Sequence, residues 1–172
     1  MGIKLDTGNG DANKIDNDFY SAGKAYWDKI EPTVDGMLGG YTQVTHADVN
    51  SSMKLLDKYF VSLEKKSKLK NKQKNKQNGV NGECQLTRAL DAGAGIGRVT
   101  KHLLSKYFDV VDLLEQNDKF LAESKNYIGD EGWARVGQTI CCSLQDFVPN
   151  SDVKYDCIGC SGSLVIWRTM IL

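Results

Sequence analysis

No apolar run in this sequence of 172 residues comes near the roughly 20 that a membrane-spanning helix needs, so no membrane association is expected. The opening segment MGIKLDTGNGDANKIDND is polar and holds no apolar stretch of the kind that leads secreted chains. It begins Met-Gly, but Asp6 stands where a myristoylated chain carries Ser or Thr. The expected location is therefore the nucleus and cytoplasm. Histidine is scarce: His46 and His102 both lie far upstream of Cys141, Cys142, Cys157 and Cys160. The cysteines number five, an odd count with one adjacent pair, which does not build a secreted disulfide framework. Cys157-Ile158-Gly159-Cys160 has CxxC form, yet no second pair stands at a zinc spacing, so no metal is expected. Small buried residues on strands is the simpler reading of these thiols.

Net charge is missing too, with 22 basic against 22 acidic side chains, but the balance is uneven. Residues 64–78, EKKSKLKNKQKNKQN, hold seven lysines and one glutamate, and the rest of the chain is left at −6. The run has almost nothing to bury and predicts a solvated, disordered loop over residues 64–82, with no nucleic-acid role expected. The acidic body favours a basic ligand through long-range attraction.

Residues 1–15 read as a disordered leader, and 16–172 as a single domain. A short helix is expected from Asp16 to Trp27, where Phe19, Ala22 and Tyr26 recur at helical steps. Pro32–Tyr41 holds three glycines within five residues and predicts a loop able to approach a ligand closely. Val49, Met53, Leu56, Phe60 and Leu63 form one helical stripe, with Thr45 and Asp48 marking its start and the lysine run its end. Strands are then expected at 89–92, 110–114, 138–142 and 156–160, with helices after the first two, Asn117 or Asp118 capping the second helix and Gly129 ending it. Such alternation predicts an α/β fold with a parallel sheet.

The segment Leu90-Asp91-Ala92-Gly93-Ala94-Gly95-Ile96-Gly97-Arg98 carries the chemistry. A strand runs into a glycine-rich bend that opens a helix, whose free N–H groups favour a carboxylate or phosphate. Gly93 and Gly95 leave the backbone open to a ligand, and Gly97 is expected to let the helix pack on the strand. The dinucleotide fingerprint GxGxxG needs glycine at position 98, where arginine stands. The spacing GxGxG behind Asp91 instead resembles that of class I S-adenosyl-L-methionine enzymes. A ribose needs an acidic side chain at the end of the second strand, and Glu115 lies there, about twenty residues beyond the glycines. Asp112 sits mid-strand and is the poorer candidate. Arg98 can pair with the cofactor's carboxylate in a forked geometry. Leu144 and Gln145, past the third strand, are placed to pack on the adenine ring and bond its edge.

Together PTVDGMLGGY (32–41), DVNSS (48–52), LDAGAGIGRVTKHLL (90–104), YIGDEG (127–132) and CCSLQDF (141–147) resemble the α-N-terminal protein methyltransferases, which modify proteins beginning Xaa-Pro-Lys. The resemblance covers roughly residues 19–158, with the lysine run as an insertion. It implies a class I methyltransferase, Rossmann-like parallel sheet with an N-terminal helical extension. Gly93 and Arg98 would hold the amino-acid end of S-adenosyl-L-methionine, Glu115 the ribose in place of the family's aspartate, and Leu144 and Gln145 the adenine. Trp27, Leu38 and Gly39 would belong to the channel for a protein N-terminal peptide.

Beyond Ile158 the chain departs from the family and reads GCSGSLVIWRTMIL. The family's general bases, a histidine and an aspartate, and its substrate-positioning asparagine fall in that region, so no catalytic residue is assigned. About seven strands are usual and four are expected here, which implies a C-terminally truncated fold with an open fourth strand unless the apolar tail packs on it. Two other readings stay open: a non-catalytic cofactor-binding fragment, and a small-molecule or RNA methyltransferase.

Overall fold

The computed structural model describes residues 12–74, 87–160 and 163–165, with side-chain surroundings over 19–61 and 87–160. The chain divides into two compact units, Met1–Glu31 and Pro32–Leu172. In the first, α1 (Ala12–Trp27) begins four residues before the expected start, and residues 1–11 of the leader lie outside the described region. Along α1, Phe19 meets Tyr20 and Tyr26 meets Trp27 edge-on, at ring centroid distances of 5.5 and 5.2 Å.

The second unit opens with α2 (Val34–Met37), a single turn inside the segment read as a loop. Thr33 overrides the glycines by capping it: its hydroxyl accepts from the Gly36 N–H at 3.0 Å. The next helix, α3 (Val44–Lys74), starts within one residue of the expected Thr45. The Asp48 carboxylate in its second turn accepts from Arg98, fifty positions later. The lysine run does not end it, against expectation. Lysine, glutamine and leucine are good helix formers, no glycine or proline occurs before Gly79, and cations near a helix C-terminus complement its dipole. Residues 75–82 of the expected loop lie outside the described region.

Four strands form the parallel part of the sheet: β1 (Arg88–Ala92), β2 (Val110–Glu115), β3 (Val136–Cys141) and β4 (Cys157–Cys160). A fifth, β5 (Ser163–Val165), turns back antiparallel on β4, giving the order β3-β2-β1-β4-β5. The fourth strand's edge is thus covered by three residues of the apolar tail itself. Between β1 and β2 the chain makes a π-helical segment (Thr100–Leu104) running into α4 (Ser105–Tyr107). Between β2 and β3 lie α5 (Asp118–Ile128) and the short α6 (Asp130–Trp133). Asn117 caps α5, its side chain accepting from the Lys119 N–H at 3.0 Å, and Gly129 ends it at φ +81°.

One face of the sheet carries the larger core. Leu56 of α3 packs there with Ala89, Leu103, Leu104, Phe108, Val111, Leu113, Ile128 and Cys157, all buried, and Met53 and Phe60 extend the α3 stripe onto it. The other face holds Leu90, Ala92, Leu114 and Tyr155, with Phe147 and Val153 from the β3–β4 connection against it. Cys157 belongs to the first cluster and Cys160 to the second. Alternation along β4 therefore sends the two thiols of the CxxC to opposite faces. Asp112 is wholly buried and ties several strands together: it accepts from Arg88 Nε (2.9 Å) and Nη2 (2.8 Å), the Tyr155 hydroxyl (2.8 Å) and the Gln138 N–H (2.8 Å). No helix among the described residues is long and apolar enough to cross a membrane.

Candidate functional site

β1 and β2 run parallel and side by side, so their C-terminal ends lie together, and the candidate residues gather there. The bend after β1 is anchored on β2: the N–H groups of Gly93 and Ala94 both donate to the Leu114 carbonyl, at 2.8 and 3.0 Å. Glu115 is one residue further on and 8% exposed. Its carboxylate accepts from the Gly95 N–H through Oε2 and from the Asn117 N–H through Oε1, each at 2.9 Å. The acidic side chain and the glycine bend, linked in the sequence only by spacing, are in direct contact.

Two glycines of the bend are sterically required. Gly95 has φ +57°, and a Cβ there would fall 2.3 Å from the sulfur of Met37. That thioether of α2 sits in the notch and accepts weakly from the Ile96 N–H at 3.4 Å. Gly97 has φ +84°, and a Cβ there would lie 2.4 Å from Cδ1 of Ile128. Its role therefore differs from the one expected: it makes room for α5 rather than for packing of its own helix on β1.

Arg98 is not a surface residue; it is 6% exposed. Its Nη2 donates to Asp48 Oδ2 at 2.8 Å, while Nη1 is buried without a hydrogen-bond partner. A buried unsatisfied donor on a cation is costly, about 1–3 kcal/mol or more, and an incoming carboxylate oxygen would relieve it. The Glu115 carboxylate and this orphaned donor suit the ribose hydroxyls and the carboxylate of S-adenosyl-L-methionine, while the Met37 sulfur fills the notch at Gly95.

Asp91, last but one in β1, fixes the geometry from below. Its Oδ2 accepts from the Thr100 N–H (3.1 Å) and hydroxyl (2.7 Å), pinning the π-helical segment to the strand end. Burial pushes its carboxyl up to about 6; the bonds from Thr100 and the Arg98 charge offset this in part, and the Glu115 charge adds to it. The ordinary value is 3.8, so between about pH 4 and 6 the folded chain holds a proton the unfolded chain has released. Stability from this group is present at low pH and is lost as pH rises through 6, by about 3 kcal/mol. Asp91→Asn keeps an acceptor for Thr100 and removes the titration. Urea unfolding at pH 4 and pH 7 is expected to show the variant gaining on the wild type by about that amount. Parallel pH profiles for the two would rule this account out.

The remaining expected residues are less enclosed. Leu144 and Gln145 follow β3, whose Cys141 pairs with Glu115, so they lie beyond the same end of the sheet; both are exposed, Leu144 to 59%. Leu38 caps the end of α2 and is half-buried, and Gly39 is exposed at φ +56° with nothing within 4 Å of a Cβ. Trp27 closes α1 in the first unit and is half-buried. Sequence reasoning missed Met37 and Asp48. In the sequence Met37 is only one apolar residue of a glycine-rich stretch, and the partner of Asp48 lies fifty positions away. Among the described residues no group of three or more His, Cys, Asp or Glu side chains is placed to hold a metal.

Residues 15–165 match the family model described as AdoMet dependent proline di-methyltransferase. Proteins named N-terminal Xaa-Pro-Lys N-methyltransferase 1 from Rattus norvegicus and Homo sapiens are each 44% identical over 140 residues, covering 81% of this chain and 54% of theirs. The Xenopus tropicalis protein of that name is 41% identical over the same length. The chain spans about half the length of the curated relatives it matches. Among solved structures, a SAM-dependent methyltransferase from Leishmania major superposes with a TM-score of 0.60 at 30% identity, covering 81% of this chain and 46% of that one.

Proposed function

The chain belongs to the AdoMet dependent proline di-methyltransferase family, and from that premise we propose that it holds S-adenosyl-L-methionine at the β1–β2 end of its sheet for methylation of the α-amino group of Xaa-Pro-Lys protein N-termini. The observation that carries the reading is the Glu115 carboxylate seated on the Gly95 N–H at the mouth of the glycine bend. A carboxylate there accepts from two vicinal ribose hydroxyls, and its length beyond an aspartate is accommodated by the second bond from Asn117. Gly93 and Gly95 leave the bend free of side chains of its own, and Arg98 offers a buried cationic donor to the amino-acid carboxylate. Leu144 supplies an exposed apolar surface for the adenine ring, with Gln145 beside it for the ring's edge. When bound, the cofactor supplies an electrophilic methyl group on sulfur.

The amine that receives the methyl must be neutral; its ordinary pKa near ~8 means that little more than proximity and one proton acceptor is required. The peptide assignment, with Leu38 and Gly39 of the second unit along the channel, rests on the names and identity of the relatives and on the −6 balance of the chain outside its lysine run, which suits a substrate with lysine at its third position.

Calorimetric titration with S-adenosylhomocysteine tests the carrying observation. Glu115→Ala is expected to weaken binding about tenfold or more, since hydrogen bonds to a charged group contribute roughly 1.5–3 kcal/mol. Equal affinity in variant and wild type would remove Glu115 from the site. Mass spectrometry after incubation with S-adenosyl-L-methionine tests the substrate: a methyl gain is expected on an Xaa-Pro-Lys peptide, and a gain confined to RNA overturns the assignment.

A further inference from the structure

We propose that Asp48 is a positioning residue for cofactor binding: it holds the Arg98 guanidinium so that its second terminal nitrogen is set for the cofactor's carboxylate. This rests on the reading of the glycine bend given above. A guanidinium is planar, so fixing one nitrogen fixes the direction of the others. Asp48 reaches Arg98 from α3, an element outside the sheet, and meets it through a single contact, Oδ2 to Nη2 at 2.8 Å. The grip leaves Nη1 buried and unpartnered.

An ion pair serving stability alone is better built with both donors engaged, because a desolvated donor without an acceptor weakens the fold. Here one half of the fork is used and the other is held back. A second observation lies on the same helix. Thr45 is three residues before Asp48, on the same face of α3, and its hydroxyl is also buried without a partner. Arg98 Nη1 and, about one turn before Asp48 on α3, the Thr45 hydroxyl are thus both unpaired, whereas the bend N–H groups of Gly95 and Ile96 already have acceptors in Glu115 and Met37. Asp48 touches no reacting atom in this scheme; it acts through Arg98.

The test compares two ligands that differ only at the amino-acid end. S-adenosylhomocysteine carries the carboxylate, and 5′-methylthioadenosine lacks it. Arg98→Ala and Asp48→Ala are each expected to weaken S-adenosylhomocysteine, by about tenfold and about fivefold respectively, and to leave 5′-methylthioadenosine unchanged. Asp48→Asn, whose amide oxygen still accepts from Nη2, is expected to recover most of the loss. The double variant should bind no worse than Arg98→Ala alone, because Asp48 has nothing left to position. Losses that add, or that fall equally on both ligands, would show a merely structural pair. Tighter S-adenosylhomocysteine binding by Asp48→Ala would show that Asp48 competes with the ligand for the guanidinium. Either result overturns the proposal while the cofactor reading stands. Failure of the wild-type chain to bind either ligand overturns that reading and this one with it. Should Asp48→Ala not melt cooperatively, Asp48→Ser carries the same expectations.

Discussion

Gly95→Asp is expected to abolish S-adenosylhomocysteine binding, a loss of more than about a hundredfold, while leaving a cooperatively melting protein. Three effects act together. The residue stands at φ +57°, where any side chain costs about 1 kcal/mol or more. Its Cβ would fall 2.3 Å from the Met37 sulfur, so the thioether must leave the notch. The new carboxylate would also lie beside that of Glu115, which the Gly95 N–H now binds, and two anions at contact repel. Gly129→Ala is the control. That position has φ +81° with nothing within 4 Å, so the variant carries backbone strain without a side-chain clash, away from the bend. It should lose stability and keep its affinity. Affinity retained by Gly95→Asp, or lost equally by Gly129→Ala, would mean that the bend is not where the nucleoside sits.

The parallel core of this fold was legible because its signals are local. The strands expected at 89–92 and 110–114 are observed at Arg88–Ala92 and Val110–Glu115, each a short apolar run buried on both faces. The Asn117 cap and the Gly129 stop of α5 follow from backbone preferences that need no tertiary partner. What the sequence leaves hidden has the opposite character. Asp48 reads there only as part of a helix start, and an arginine fifty positions away determines what its carboxylate binds. Thr33 makes a turn of helix in a glycine-rich stretch through a single hydrogen bond, which composition does not reveal. The lysine run has a disordered composition but no helix breaker before Gly79, and propensity on an already nucleated helix carries it to Lys74. β5 depends on the edge it covers, and a strand of three residues has no period of its own.

In the site the division is the same. The bend and Glu115 were readable because the motif and the strand end fix them. Arg98 was readable as a candidate, but its acceptor Asp48 comes from α3, and the thioether in the notch comes from α2. Groups that long-range packing brings in leave no periodic trace.

Asp112→Ala should be the most damaging substitution in the sheet, and it separates stability from binding. The carboxylate is wholly buried and receives four hydrogen bonds: two from Arg88 of β1, one from Gln138 of β3, and one from the Tyr155 hydroxyl ahead of β4. Burial first, and then the bond to this carboxylate, hold the Tyr155 hydroxyl well above its ordinary pKa, so it stays a donor throughout the working range. Alanine would strand all of these donors at once, and losing one partner of a buried ion pair costs about 3–5 kcal/mol. A melting temperature lower by roughly 10 °C follows for a chain of this size. The Arg135–Asp109 pair, about half exposed on both sides, is the contrast: Arg135→Ala should cost at most about 1 kcal/mol. Glu115 lies three residues further along β2 and bonds none of the stranded groups, so the folded fraction of Asp112→Ala should bind S-adenosylhomocysteine with wild-type affinity. A melting temperature within a degree of wild type would show that the network contributes little to the fold. A loss of affinity in the folded state would show that β2 does not hold Glu115 in place independently of it.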